Sequence, residues 1–228
     1  MMEKNKKTNE KKINKELYIQ LGIIAVLSLL IMFNAGKIYG NKGGDISTGI
    51  KVVSASGIIP TGTPAIYGEE LGIKYDYVSP DNPQLADTTI TLLGDIDRSE
   101  NLDGDNLKRY IDILYNLENG ISCEYCCGAR AIIFENGQPA CGCAHSYAMR
   151  GLAKYLIKYH EDEYTDEEIL SEVGKWKVLF FPGIHEQKVK VLEANGIDPK
   201  DYINLASNKY RGIEQGQTSS AGGMVGGC

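Results

Sequence analysis

The spacing of apolar residues along the chain predicts a mainly helical protein. Apolar side chains recur three and four residues apart, the period of one helix face, in several segments after residue 100. These segments are 105–117, 144–159, 165–180 and 184–194. Thr165 and Glu168 match a capping box at the start of 165–180, and Pro182 predicts the end of that helix. A last short helix is predicted to begin at Asp198-Pro199.

Two segments leave this helical pattern. Asn82-Pro83 is typical of a helix start, but residues 88–92 also fit a short strand, and both interpretations are open. Residues 131–140 favour a β-hairpin, because Asn136-Gly137 between two apolar stretches is a strong signal for a two-residue turn. The predicted fold class is therefore mainly α, with one small β-hairpin.

An uncharged apolar run of 19 residues, 17–35, precedes this body. Its length is close to the roughly 20 residues that an α-helix needs to cross a bilayer. Residues 1–16 carry a net charge of +3, which predicts that this end stays in the cytoplasm. The sequence thus predicts a single-pass transmembrane signal-anchor at 17–36 with an extracytoplasmic C-terminal domain at the cell membrane. A cleaved signal peptide is the open alternative.

Composition divides the rest of the chain. Residues 37–63 are rich in Gly, Ser and Thr and predict a flexible stalk, and residues 64–211 predict one helical ectodomain. Residues 212–228 contain six Gly and predict a flexible tail. The whole chain carries 24 Lys and Arg against 30 Asp and Glu, a net charge of -6. This balance argues against nucleic acid as a partner. The predicted partner is the membrane, through the apolar run at 17–35.

The strongest chemical signal is a cluster of cysteines. Five of the six cysteines lie within 21 residues, three before the predicted hairpin and two, followed by a histidine, after it. Short spacings on both sides of a tight turn bring sulfur and imidazole ligands to one point, so we predict a site for Zn²⁺ or Cu(I). The predicted metal ligands are Cys123, Cys126, Cys127, Cys141, Cys143 and His145.

The position of the second group also matters, because Cys141 and Cys143 precede the predicted helix start at Ala144. Unpaired N–H groups there favour a thiolate and lower its pKa. Two other interpretations stay open: a disulfide-stapled interaction module, and a thiol-disulfide oxidoreductase that uses Cys123-x-x-Cys126. Cys228 makes the number of cysteines even, and we expect it to reach back to the cluster.

Residues 139–145, Pro-Ala-Cys-Gly-Cys-Ala-His, resemble the bacterial PCYCGC-motif proteins, which are exported, membrane-attached proteins without an established activity. The chain is also similar to uncharacterised prokaryotic proteins, archaeal ones included, that share residues 122–129 and 140–152. Only Cys-Gly-Cys and its helical continuation match the named family, and Pro139 stands where that family has its first motif cysteine. The resemblance implies an exported protein.

Overall fold

The computed structural model of the chain describes residues 57–125, 128–215 and 224–226. Helices dominate this part, so the prediction of a mainly helical protein is confirmed for it. The helices are α1 (Tyr67–Leu71), α2 (Pro83–Ser99), α3 (Gly104–Ile111), α4 (Ala144–Tyr159), α5 (Asp166–Phe180), α6 (Pro182–Ala194) and α7 (Tyr202–Ala206). Shorter helical turns lie at Tyr75–Tyr77, Asp112–Asn116, Leu117–Asn119 and Asn208–Tyr210.

The helix starts follow the sequence signals. At α5, Thr165 Oγ1 accepts a hydrogen bond from the Glu168 N–H at 3.2 Å, and the Glu168 carboxylate accepts one from the Thr165 N–H at 2.8 Å. This is the predicted capping box, and it satisfies two N–H groups that have no partner inside the helix. Pro83 opens α2, and residues 88–92 lie inside this helix. The strand alternative for 88–92 is therefore wrong.

The core lies between α2, α4 and α5. Gly151 of α4 crosses α2 so closely that a Cβ atom at this position would lie 1.8 Å from the Leu93 carbonyl oxygen, which only glycine avoids. Trp176 of α5 is fully buried, and its indole N–H donates to the Tyr67 hydroxyl at 2.8 Å. That hydroxyl donates in turn to the Glu172 carboxylate at 2.9 Å. Buried polar groups in this part of the core are thus paired with one another.

The predicted β-hairpin is wrong as a pair of strands. The described residues contain no strand, and segment 131–140 holds a single antiparallel bridge between Ile133 and Pro139. The turn itself forms, because Gly137 has φ +82° and its N–H donates to a carbonyl three residues earlier at 2.9 Å. The next bond of a ladder would need the Ile132 N–H to donate to Ala140 on the opposite arm, but it donates to the Ile121 carbonyl at 2.9 Å. Pairing between the two arms therefore stays limited to this bridge.

The predicted single-pass helix has no counterpart in the part of the chain that the structure describes, where no helix is long and apolar enough to cross a membrane. The predicted signal-anchor at 17–36 and the basic segment before it lie outside the described residues. Two described positions belong to segments that we interpreted as stalk and tail. Ile58 is 1% exposed and Val225 is 3% exposed, so both pack into the fold.

Candidate metal centre

Three of the predicted ligands converge. The Sγ atoms of Cys123, Cys141 and Cys143 all lie within 4.8 Å of one another. Cys143 Sγ is 3.5 Å from Cys141 Sγ and 3.7 Å from Cys123 Sγ. Both distances are far longer than the S–S bond of a disulfide, about 2.05 Å. Two thiolates on one tetrahedral Zn²⁺ are about 3.8 Å apart, given a Zn–S bond near 2.3 Å. The sulfur spacing is therefore compatible with a shared metal ion.

The start of α4 determines the position and the charge of Cys143. This cysteine is the N-cap residue of α4, and its sulfur accepts a hydrogen bond from the Ser146 N–H at 3.4 Å. The Ser146 hydroxyl lies 3.2 Å from the same sulfur. Hydrogen bonding to Cys123, then to His145 and Ser146, holds the pKa of the Cys143 thiol well below its usual range, although partial burial opposes this shift. These hydrogen bonds favour the thiolate form of Cys143, as expected at a helix N-terminus.

A buried arginine holds the loop that carries Cys141. Arg150 is fully buried on α4, and its Nε is 2.8 Å from an Asp97 carboxylate oxygen on α2. Its guanidinium also donates to the Cys141 carbonyl at 2.8 Å and to the Ile132 carbonyl at 3.2 Å. One planar group therefore ties the cysteine loop to two core helices. Sequence analysis missed this residue, because its partners lie up to 53 positions away.

A buried asparagine holds the loop that carries Cys123. Asn208 Oδ1 accepts a hydrogen bond from the Ser122 hydroxyl at 2.7 Å, next to this cysteine. Asn208 Nδ2 donates to the carbonyl oxygens of Asn119 at 2.9 Å and Arg130 at 2.8 Å. Since these carbonyls lie on either side of Cys123, one amide closes the loop around it. Nothing in the sequence singles out Asn208, which follows the cysteine by 85 positions.

The other predicted ligands have different positions. Cys126 and Cys127 lie outside the described residues, as does Cys228. His145 is fully buried, and its Nε2 is 2.7 Å from the Val225 carbonyl oxygen, to which it must donate. Its ring packs on Phe180, with 4.7 Å between the ring centroids. His145 follows Cys143 by two residues and helps to lower the pKa of that thiol, but its nitrogens do not belong to the group of three sulfurs.

A buried ionic cluster adjoins Cys123. Lys177 Nζ is 3.0 Å from the Glu124 carboxylate, and both side chains are almost completely buried. Lys177 also donates to the Ala206 carbonyl at 2.8 Å. Burial lowers the pKa of Lys177, and the charge of Glu124 only partly opposes this shift. The ion pair therefore places a buried ammonium close to the cysteine loop.

Two further polar side chains are buried in the same region. Lys188 Nζ and His185 Nε2 have no hydrogen-bond partner in the described part of the chain, although both side chains are fully buried. Burial, and then the charges of Lys177 and Lys188, hold the pKa of His185 well below its usual range, so its ring is neutral. Burial, followed by the charge of Lys177, lowers the pKa of Lys188 to about 8. A buried ammonium without a partner destabilises the fold.

Comparisons with models of protein families, with curated proteins and with solved structures gave no significant match. The resemblance to the PCYCGC-motif proteins therefore stays a prediction. The function has to be argued from the three thiols and their surroundings.

Replacing Arg150 with Met should loosen the cysteine loop. The change removes one of the two cations that pair with the buried Asp97 carboxylate, so it should cost less than the roughly 3–5 kcal/mol typical of a buried charge left with no partner. It also removes the donor to the Cys141 carbonyl, so we expect a clear loss of metal affinity, measured by competition with a chelator. Lys154→Met is the matched control, because Lys154 also pairs with Asp97 but donates only to the carbonyls of Asp97 and Glu100. Equal metal affinity in the two variants would contradict this role of Arg150.

Replacing Lys188 with Met should stabilise the protein at neutral pH. Below pH 8, near the pKa of Lys188 in the folded protein, Lys188 is protonated in both the folded and the unfolded chain. The folded protein then bears the full cost of burying its charge. Between that value and the ordinary 10.5, the unfolded chain binds more protons, so the free energy of unfolding rises with pH. The gain from the substitution is therefore on the order of 2 kcal/mol at pH 7 and shrinks towards pH 10.

Urea unfolding at pH 7 and at pH 10 measures this gain in stability. Lys190→Met on the exposed side of the same helix is the control and should change stability by at most about 0.5 kcal/mol. A destabilising effect of Lys188→Met that is the same at both pH values would show that the ammonium has a compensating partner.

Proposed function

We propose that this protein binds a thiophilic metal ion, Zn²⁺ or Cu(I), through Cys123, Cys141 and Cys143. The observation that carries the proposal is the spacing of the three sulfurs, which lie within 4.8 Å of one another. Thiolate ligands select these two ions over harder cations such as Mg²⁺ and Ca²⁺. An ion at the centre of the three sulfurs needs little rearrangement of the two loops, because separations of 3.5 and 3.7 Å already suit metal–sulfur bonds.

The electrostatics around the sulfurs support a cation there. Metal binding requires deprotonated thiols, and the hydrogen bonds that Cys143 receives already favour its thiolate. Cys123 interacts electrostatically with the buried ammonium of Lys177. These hydrogen bonds and the positive charge of Lys177 reduce the repulsion between neighbouring thiolates. A bound cation would neutralise the negative charge that remains.

The number of ligands separates the two ions. Three thiolates suffice for Cu(I), whereas Zn²⁺ in proteins is almost always four-coordinate. Cys126 and Cys127 follow Cys123 by three and four residues, so either is our candidate for the fourth ligand of Zn²⁺. His145 has its Nε2 on the Val225 carbonyl, which favours a role beside Cys143 over direct coordination.

We infer that the ion is held for exchange and is not needed for the fold. The core between α2, α4 and α5 is built from large apolar side chains, so it does not depend on a metal as a zinc finger does. Cys143 is partly exposed, whereas Cys123 and Cys141 are buried. This exposure gives an incoming chelator or partner thiol access to the ion from one side. Delivery of the ion to a partner outside the cytoplasm stays a prediction.

Substitution of the cysteines tests the proposal. We expect about one ion per chain after equilibration with a weak chelator, and loss of that ion in the double variant Cys141→Ser and Cys143→Ser. Cys127→Ser is the comparison and should lower metal content less, because Cys126 lies beside it in the sequence and can replace it. Far-ultraviolet circular dichroism should show that the fold persists in every variant and without metal. Equal metal content in the wild type and the double variant would remove the site from these residues.

Thiol-disulfide exchange is a second candidate function, favoured by the lowered pKa of Cys143 and by the two sulfurs beside it. The Cys143 thiolate would attack a disulfide and release one of its sulfurs as a thiolate. A neighbouring thiol would then resolve the mixed disulfide, so that the substrate gains two electrons and the protein forms a disulfide. Reduction of oxidised glutathione by reduced, metal-free protein, with one disulfide formed in the protein for each one reduced, would support this function, and its absence in a metal-binding protein would leave the first.

A further inference from the structure

Residues 224–226 are docked in the fold against His145, which follows Cys143 by two residues. The Val225 N–H donates to the Phe180 carbonyl at the end of α5, with an N···O distance of 2.9 Å. The Val225 carbonyl accepts from His145 Nε2 at 2.7 Å, and the Val225 side chain is buried. Both backbone groups of one residue are therefore paired with the core, which is the pattern of a specific contact.

The residue after Val225 fits its place closely. Gly226 has φ +82°, a conformation that L-residues with side chains rarely adopt. A Cβ atom there would lie 2.4 Å from Ile90 Cδ1 on α2 and 3.5 Å from His145 Nε2. Ile90 is itself buried. A larger residue at position 226 therefore combines a strained backbone with a contact that requires the Ile90 side chain or the segment to move.

His145 connects this docked segment to Cys143. A carbonyl oxygen only accepts hydrogen bonds, so His145 Nε2 carries its proton while Val225 is in place. The ring is further fixed by Phe180 and Phe181, with centroid distances of 4.7 and 5.1 Å. From this position in the first turn of α4, two residues after Cys143, His145 helps to lower the pKa of the Cys143 thiol. Groups that orient the residues around a metal commonly change affinity by 10–100-fold when they are lost.

We propose that residues 224–226 act as a strap that holds His145 against Cys143 and thereby slows the release of a metal ion from the three thiols. This inference rests on the proposed function and adds regulation to it. With the strap docked, His145 is fixed beside the partly exposed sulfur. When the strap leaves, His145 loses its acceptor, Cys143 loses an oriented partner, and the ion exchanges faster.

The test compares two glycine substitutions in the full chain. Gly226→Ala should displace the strap. Gly62→Ala is the matched control, because Gly62 has the same φ of +82° but no described atom lies within 4 Å of the place that its Cβ would take. The proteins are loaded with Zn²⁺, and its transfer to an excess of a chromophoric chelator is followed in time. We expect Gly226→Ala to release Zn²⁺ on the order of tenfold faster, which corresponds to the loss of one or two hydrogen bonds. The control should release it at the wild-type rate.

A second comparison tests the path through His145. His145→Gln should accelerate release to a similar extent while the amount of Zn²⁺ bound stays the same, and combining it with Gly226→Ala should add little, because both changes break one connection. A lower Zn²⁺ stoichiometry in His145→Gln would show that His145 is a ligand and would overturn its role as a positioning residue.

The outcomes separate this inference from the proposed function. A wild-type chain that fails to load Zn²⁺ or Cu(I) overturns the proposed function and the strap with it. Chains that load Zn²⁺ but release it at equal rates in the wild type, in Gly226→Ala and after truncation behind Gly223 overturn the strap alone.

Discussion

Three thiols held within 4.8 Å of one another are subject to strong repulsion as soon as they ionise, and the structure around them compensates for this charge. The N-terminus of α4 contributes N–H groups to Cys143, and the Ser146 hydroxyl lies beside the same sulfur. Lys177 places a buried ammonium near Cys123. The compensation by the protein favours thiolates, and the remaining negative charge is what a soft cation would neutralise.

The loops that carry these thiols are fixed by side chains from elsewhere in the chain. Arg150 holds the Cys141 carbonyl from α4, and Asn208 closes the loop around Cys123. Lys188, which is buried without a hydrogen-bond partner among the described residues, adds a local cost close to the same region. A fold that tolerates this cost keeps ionisable groups near the thiols, and such an arrangement is typical of functional sites in an otherwise apolar core.

The sequence predicted the helices better than the loops, and for a physical reason. Helix periodicity and caps such as Thr165 with Glu168 are local, so they can be recognised within four residues. The β-hairpin was wrong because a strong turn signal at Asn136-Gly137 does not ensure a ladder when the Ile132 N–H donates to distant Ile121 and not to the opposite arm. The interpretation of 224–226 as part of a flexible tail missed the contact with His145, which joins positions 80 residues apart.

In the candidate site, too, local features could be predicted from the sequence and contacts between distant residues could not. Clustering in the sequence correctly indicated that Cys123, Cys141 and Cys143 come together, because the turn between them is local. Arg150 and Asn208 could not be recognised, since their partners are set by the packing of distant helices. These three sulfurs lie close together, and metal ligation by the six residues predicted from the sequence stays a prediction.

X-ray absorption at the metal edge, measured on the loaded full-length protein, tests the central claim most directly. We expect a first shell with at least three sulfur atoms at about 2.3 Å, a distance typical of metal–thiolate bonds. At the copper edge we expect three sulfurs alone, and at the zinc edge we expect a fourth sulfur from a further cysteine. A shell of oxygen and nitrogen atoms without sulfur would contradict a metal centre at Cys123, Cys141 and Cys143.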